Sequence, residues 1–461
     1  MGNSSITQEL RREKEINSQD SNWEKESYQI GCGVSRHEAL QRLKGIDDKL
    51  FQDHPPSWEV RGFKERTLVT CFGEIRISRR LYRDEKGSYH FLLDEYLGLP
   101  AGQAATPGLQ ESLVDLAAQV PFRQVSGSLE KLTEGVLSAT TIHRLLQKAS
   151  DRAMEKERED CQALFEGGEL PLGQERKVSL LFSEYDGIWI HLQREEGRNY
   201  EIKNAIAYEG WKRLPGKEER YSLVNKRVYC HASDEIPFWE GASLEWSRVW
   251  DLSYLKEMVI GGDGANWIDV GIEEFAGSIR QLDGFHLARA SGQGWQEGGA
   301  IYQAIRAGET QVARSLMNHS APKEGERAQK ARRYVERNLY KGRDWRTQSE
   351  MEGRGLGTME SNEDKLVANR MKKRGLSWKI RGAQRMAKVI QLRANGEIRR
   401  WCERQRISPP PAEVLQSTSK SRSNGYQEWL QASLPALSGP HASRPWVEKL
   451  RSMTYNSFPL N

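Results

Sequence analysis

The sequence contains no run approaching the ~20 apolar residues that a membrane-spanning helix needs, no Cys-x-x-Cys pair and no GxxxxGK[ST] loop. The first absence excludes a helical membrane protein. The second leaves five scattered cysteines, Cys32, Cys71, Cys161, Cys230 and Cys402. Their odd number and spacing argue against a zinc ribbon or a disulfide framework and fit a reducing cytoplasm. The third absence, with Gly353, Gly355 and Gly357 following no predicted strand, leaves no recognisable nucleotide-phosphate cradle. The opening MGNSSITQELRREKE lacks an apolar core for a secretory signal, and Ile6 breaks the myristoylation pattern, so no targeting segment is expected.

What remains is a chain of 461 residues, 37% apolar and 29% charged, which is a soluble globular composition. That length predicts two or three domains. The net charge of +5 and pI near 8.8 are mildly basic, so the location of the charge matters more than its sum.

Residues 1–60 read as a charged, loosely helical lead-in, and 61–105 as a small β element whose strands are punctuated by Gly73 and EKGS. A small structural sheet explains that element without a direct functional role. Residues 106–150 read as three helices. Thr106 and Pro107 pair as N-cap and first helical residue, a second helix runs over about 122–132, and Ser138 caps a third, SATTIHRLLQKAS. Two short helices, a glycine-containing turn and a capped helix have the pattern of a helix-turn-helix. Thr140, Thr141, His143 and Arg144 would then start the DNA-reading helix, although many helical hairpins share the pattern and touch no DNA.

After a charged helix and linker over 151–170, strands are predicted at 178–193, about 200–208 and about 222–231. A helix at about 237–251, a strand in KEMVIGGDG, a short helix in ANWIDVGIEEFAG and a strand in SIRQLD follow. This order, βββαβαβα, is that of an RNase H-like α/β domain with a mixed sheet.

Four acids fall within or at the ends of these strands. Glu184 and Asp186, two apart in one strand, share a face. Asp263 follows the fourth strand and Asp283 ends the fifth. A lone strand-end Asp is more often a cap for the following loop. Several at successive strand ends of one sheet point instead to a divalent-cation site, because clustered carboxylates repel unless a cation sits among them. Mg²⁺ or Mn²⁺ takes oxygen ligands of this kind, and a metal pair can cleave a phosphodiester. Glycines at 187, 261, 262, 264 and 284 would let a polyanion approach the backbone. The third carboxylate should come from a helix beyond the sheet, and Glu360 in GLGTMESNEDKL is the candidate. From Arg370 to Arg400 eleven Lys and Arg face a single Glu. Arg370, Lys372, Lys373, Arg374, Lys379 and Arg381 are the expected contacts to a DNA backbone. Trp378 among them could stack on a base or belong to the core.

The stretches SEYDGIWIHLQ, EIKNAIAYEGW, LVNKRVY, GGDGANWI, QLDGFHLAR and GLGTMESNEDKLVANRMKKRGLSWKIRGAQRMAK resemble transposases of Lre-type bacterial insertion sequences, a group related to Mutator-like DDE transposases. The resemblance covers nearly the whole chain. It implies an RNase H-like catalytic domain over 171–286 and 356–404, a helical insertion over 287–355, and a linker and tail over 405–461. It implies Asp186, Asp263 and Glu360 as the catalytic, metal-binding triad. DGFH resembles a C/D-x-x-H element, which puts Asp283 and His286 beside the active site, with Glu184 as a supporting acid. Expected partners are double-stranded DNA, as terminal inverted repeats and target, and further copies of the chain in a homodimer or larger assembly. The expected location is the bacterial cytoplasm, at the nucleoid, with no membrane. A nuclease without strand transfer and an inactive DNA-binding descendant are the alternatives.

Overall fold

The computed structural model describes residues 23–402, apart from 134, 172, 174–175, 195–196, 216–219, 276, 360–366 and 374. These form two compact units, one of 23–106 with Thr133 and Gly135, the other of Pro107–Leu132 and Val136–Cys402.

In the first unit a long helix, α1 (Trp23–Gln52), lies on a three-stranded antiparallel sheet of β1 (Glu59–Thr70), β2 (Gly73–Arg83) and β3 (Tyr89–His90). Helix α1 is mostly polar. Leu40, Leu43, Ile46 and Leu50, spaced to share one side, pack against Leu68, Ile75 and Ile77 of the sheet. The β1–β2 turn closes at Gly73, whose φ of +108° suits glycine, and Thr70 Oγ1 donates to the Gly73 carbonyl at 2.7 Å.

The second unit begins with α2 (Pro107–Ala117), α3 (Phe122–Thr133) and α4 (Ala139–Phe165). Ser138 caps α4 as its sequence suggested, accepting from Thr141 N at 3.1 Å. The helix does not stop at Ser150. It continues for 27 residues through the segment read as partly linker, because its acids are paired: Asp151 with Arg385, Glu157 with Lys388 and Asp160 with Arg248.

The strands are β4 (Leu180–Leu192), β5 (Asn199–Tyr208), β6 (Gly210–Arg213), β7 (Tyr221–Val224), β8 (Arg227–Cys230), β9 (Glu257–Gly262) and β10 (Ser278–Leu282), with α5 (Phe238–Ser247) between β8 and β9. The single strand expected over 222–231 is two. Asn225 at φ +50° breaks it, so β7 pairs with β6 in a separate hairpin while β8 joins the main sheet. That sheet has the order β10–β9–β4–β5–β8. β4 is antiparallel to β5 and parallel to β9, and β9 is parallel to β10. A mixed α/β architecture is therefore observed. One face buries Leu181, Tyr185, Ala205 and Tyr229 against Trp239 and Trp246 of α5. Four helices follow β10: α6 (Gly284–Gly294), α7 (Gly298–Ala307), α8 (Thr310–His319) and α9 (Glu326–Arg337). The short β11 (Ser377–Trp378) then pairs with the far end of β4, and α10 (Ile380–Ala394) and α11 (Ile398–Cys402) complete the described chain. Among the described residues no helix is long and apolar enough to cross a membrane.

Candidate active site

Strand register brings three of the acids level. Tyr185 lies opposite Gly262, and Gly262 opposite Leu282. The next residue on each of these three neighbouring strands is Asp186, Asp263 and Asp283. Adjacent strands lie about 4.8 Å apart, so Asp186 and Asp263 hold neighbouring positions at the centre of the sheet. Both are half-buried. Asp186 Oδ1 accepts from Gly187 N at 2.7 Å and Asp263 Oδ1 from Ala265 N at 3.0 Å. Among the described residues no donor reaches the second oxygen of either.

Asp283 is different. It caps α6, its Oδ1 accepting from His286 N at 2.9 Å and meeting His286 Nδ1 at 3.1 Å. The capping role weighed for a strand-end Asp thus holds for this one. His286 carries a raised pKa, through this hydrogen bond first and through the charges of Asp283, Asp186 and Asp263. Burial pushes the Asp283 carboxyl up, but the hydrogen bonds from His286 outweigh it and the net direction is down. The pair contributes its full stability between about pH 3.8 and 6.5, the two ordinary values. The His286 part is lost as pH rises through its raised value, and the Asp283 part as pH falls through its lowered one. In an NMR titration His286 is expected to lose its proton above pH 6.5, and Asp283→Asn to bring that midpoint down.

Two residues of the cluster carried no sequence signal. Glu201 on β5 reaches over Gly187, and its pKa is raised by burial, with Asp263 and Asp186 adding. Tyr334 of α9 donates its hydroxyl to the Asp263 carbonyl at 2.6 Å. Glu201 is brought in by the β4–β5 pairing, opposite Trp189, and Tyr334 from 71 residues beyond Asp263 along the chain. Among the described residues no group of three or more His, Cys, Asp or Glu forms a ready metal cage. Glu360 lies outside the described residues.

The matched sequence family can now be set beside this geometry. The pattern of the uncharacterised protein family UPF0236 matches residues 33–406. The chain belongs to UPF0236. A UPF0236 protein in the vanSb 3′ region of Streptococcus gallolyticus is 28% identical over 398 residues, covering 82% of this chain and 83% of its own. A UPF0236 protein of Caldanaerobacter subterraneus subsp. tengcongensis, whose name carries eleven locus designations, is 21% identical over 392 residues, 79% of each chain. A second from that strain is 20% identical over 395 residues, 80% of each.

In this UPF0236 chain Glu184 does not face the acid cluster as a free ligand. It is buried, and its carboxylate accepts from Tyr208 Oη at 2.6 Å, Thr358 Oγ1 at 2.5 Å, and the N–H groups of Gly357, Thr358 and Met359 at 3.0, 2.9 and 3.1 Å. It latches the segment that leads directly, in sequence, to Glu360. Glu184→Gln sets an amide donor among these five donors, and we expect it to cost about 3 kcal/mol by urea unfolding. A cost under about 1 kcal/mol would mean that the latch does not form.

Four of the five glycines beside the acids, Gly187, Gly261, Gly262 and Gly264, serve packing rather than ligand approach, which corrects the sequence expectation for these four. A Cβ on Gly187 would meet Glu201 Oε1, one on Gly261 would meet Leu356 at 2.8 Å, one on Gly262 Ile268 at 2.6 Å and one on Gly264 Asn338 at 2.9 Å. Protein side chains already occupy that space. Gly284, with Tyr302 at 3.5 Å, is in ordinary contact.

The expected nucleic-acid contacts divide. Arg370 is a correction. It is 3% exposed, lies between the rings of Phe122 and Trp378, and donates from Nε to the Ala117 carbonyl at 2.9 Å. Its charge is spent indoors. Trp378, half-buried, donates to the Met371 carbonyl at 3.0 Å and is part of this packing. Thr140, Arg144, Lys372, Lys373, Lys379 and Arg381 are exposed, and Thr141 is tied into the Ser138 cap. Arg374 lies outside the described residues. His143 meets Phe122 edge-on at 5.0 Å, and burial lowers its pKa, with Arg385 adding. It shares a cavity of 530 Å³ with Lys379 and Arg381. Helix α4 packs against α10 through the pairs of Asp151 with Arg385 and Glu157 with Lys388, while Thr140 and Arg144 at its start stay exposed.

Proposed function

We propose that this chain is a DNA transposase of a bacterial insertion sequence, with an RNase H-like catalytic domain related to the Mutator-like DDE group. The observation that carries the reading is the level placement of Asp186 and Asp263 on neighbouring central strands of a sheet ordered β10–β9–β4–β5–β8. Each has a carboxylate oxygen that no described donor reaches, a hard-oxygen pair that suits Mg²⁺ or Mn²⁺. Asp186, Asp263 and Glu360 would hold the metal, which supplies nucleophile activation and charge neutralisation at a phosphodiester. Glu184 holds Gly357, Thr358 and Met359, the residues that precede Glu360 in sequence. His286, protonated more readily than an ordinary histidine, stands beside the acids to meet a phosphate oxygen. Exposed Lys372, Lys379 and Arg381 meet the DNA backbone. The eleven locus designations of one relative support the reading, since a gene carried many times in one strain is what mobility leaves behind. Two transposon ends must be held together, so a homodimer or larger assembly acts on the bacterial nucleoid.

The test is a labelled duplex carrying the element's own ends, incubated with wild type or Glu360→Gln in Mg²⁺, with a target plasmid present. Wild type is expected to nick at the end and join the end to the plasmid, and Glu360→Gln to bind without cutting. Nicking without joined product would make the chain a nuclease of the same fold. Binding without any cutting by wild type would make it an inactive descendant.

A further inference from the structure

Helices α6 and α9 pack along each other and leave a groove of 430 Å³ between them. On α6 the groove is lined by His286, Arg289 and Gln293, at i, i+3 and i+7. On α9 it is lined by Tyr334, Lys330 and Arg327, at similar spacing in the opposite direction. One end is fixed at the acid cluster, where His286 pairs with Asp283 and Tyr334 binds the Asp263 carbonyl. At the far end the Gln293 amide is assigned with its oxygen toward two guanidinium groups, the orientation in which it accepts from Arg289 Nε at 3.2 Å and Arg327 Nη2 at 3.1 Å. The helices therefore run antiparallel, and each gives a track that starts at the acids and leads outward for seven residues, about 10 Å.

The charge along this track is open. Arg289 and Arg327 are exposed, and a neutral amide holds them, so their orientation is set while their charge is not cancelled. The only acid in the groove lining is Glu326, paired with Lys330 at 2.6 Å. Arg289, Arg327 and Lys330 against Glu326 leave a net charge of +2 before His286 is counted. Tyr334 and the alanines at 290 and 331 give it a partly apolar floor.

We propose that this groove binds the phosphates of one DNA strand running away from the scissile position. A strand carries one charge per about 3.4 Å of helix axis, so 10 Å of track spans about three phosphates. The proposal rests on the transposase reading and assigns the α6–α9 groove beyond His286, legible in the sequence only as part of a helical insertion, to substrate binding.

The test uses the full chain and the labelled end duplex in EDTA, where nothing is cut, with affinity measured by fluorescence anisotropy from 50 to 200 mM salt. Arg289→Ala/Arg327→Ala/Lys330→Ala is compared with wild type and with Lys156→Ala/Arg158→Ala, which removes surface charge from α4. Each lost phosphate contact lowers the salt slope by about one. Loss of two to three contacts means that, over this range, wild type loses at least about tenfold more affinity than the triple variant. The α4 control should keep the wild-type slope, and all variants should melt together by circular dichroism. If the triple variant keeps both the wild-type slope and the wild-type cleavage rate in Mg²⁺, the groove does not hold DNA, while the catalytic reading stands. If wild type itself binds no DNA at 50 mM salt, the transposase reading fails and takes this inference with it.

Discussion

Asp186→Asn and Asp263→Asn are each expected to reduce cleavage of a transposon end by at least about a thousandfold, with DNA binding intact and thermal stability little changed. The magnitude follows from the job proposed for the carboxylates. Charge stabilisation at a phosphodiester is worth several kcal/mol, and each 1.4 kcal/mol is tenfold in rate. The stability arm separates a site from a cap. Asn at 263 still accepts from Ala265 N, so the local turn survives. Neither acid makes an ion pair among the described residues. Each instead adds to the field that raises Glu201 and His286. Neutralising one of them relieves its repulsion with Glu201 and also weakens its attraction for a protonated His286, two effects of opposite sign that leave little net change. A structural Asp would behave differently, melting earlier while leaving any activity to follow the folded fraction. Single-turnover cleavage and calorimetry on the same preparations decide the question. Full activity in either variant would remove that acid from the site.

The central sheet was legible because its strands are apolar and bounded by turns, and because acids within and at the ends of successive strands depart from that pattern. Leu180–Leu192, Asn199–Tyr208 and Glu257–Gly262 fall where the pattern placed them. What was not legible depends on partners. The break at Asn225 is set by the β6–β7 hairpin, whose strands are four residues each and leave little periodicity. The inward turn of Glu184 depends on a chain segment more than 170 residues away. It shares its strand face with Asp186, so alternation placed it beside the cluster as a supporting acid and gave no sign of the latch. After Ser150 a charged helix and linker were legible, but not their continuity with the helix before them, because a charged stretch reads as solvated unless its counter-charges are seen.

Those counter-charges yield the largest expected stability effect. Lys388 is counted by sequence within the basic run after Arg370, yet it is 2% exposed. Its Nζ donates to Glu157 Oε1 at 2.7 Å and to Gln391 Oε1 at 2.8 Å, and Gln391 in turn accepts from Cys230 N of β8 at 3.1 Å. The pair joins α4 to α10 beneath the ring of Tyr229. Lys388→Met removes the cation and leaves the Glu157 carboxylate, itself 3% exposed, without compensation. Breaking such a pair from one side costs about 3–5 kcal/mol. Replacing both partners with apolar residues removes the uncompensated charge along with the attraction, so Lys388→Met/Glu157→Leu is expected within about 1 kcal/mol of wild type. Urea unfolding of wild type, both single variants and the double variant gives the coupling directly. Arg381→Ala in the same run, 75% exposed, is expected to leave stability unchanged while weakening DNA binding. If Lys388→Met were as mild as Arg381→Ala, the interior pair would not exist in solution, and the whole run would revert to a surface for DNA. If it is severe, the run has two jobs divided by helix face: Lys388 holds the sheet's covering helices together, and the exposed residues alone are left to meet phosphate.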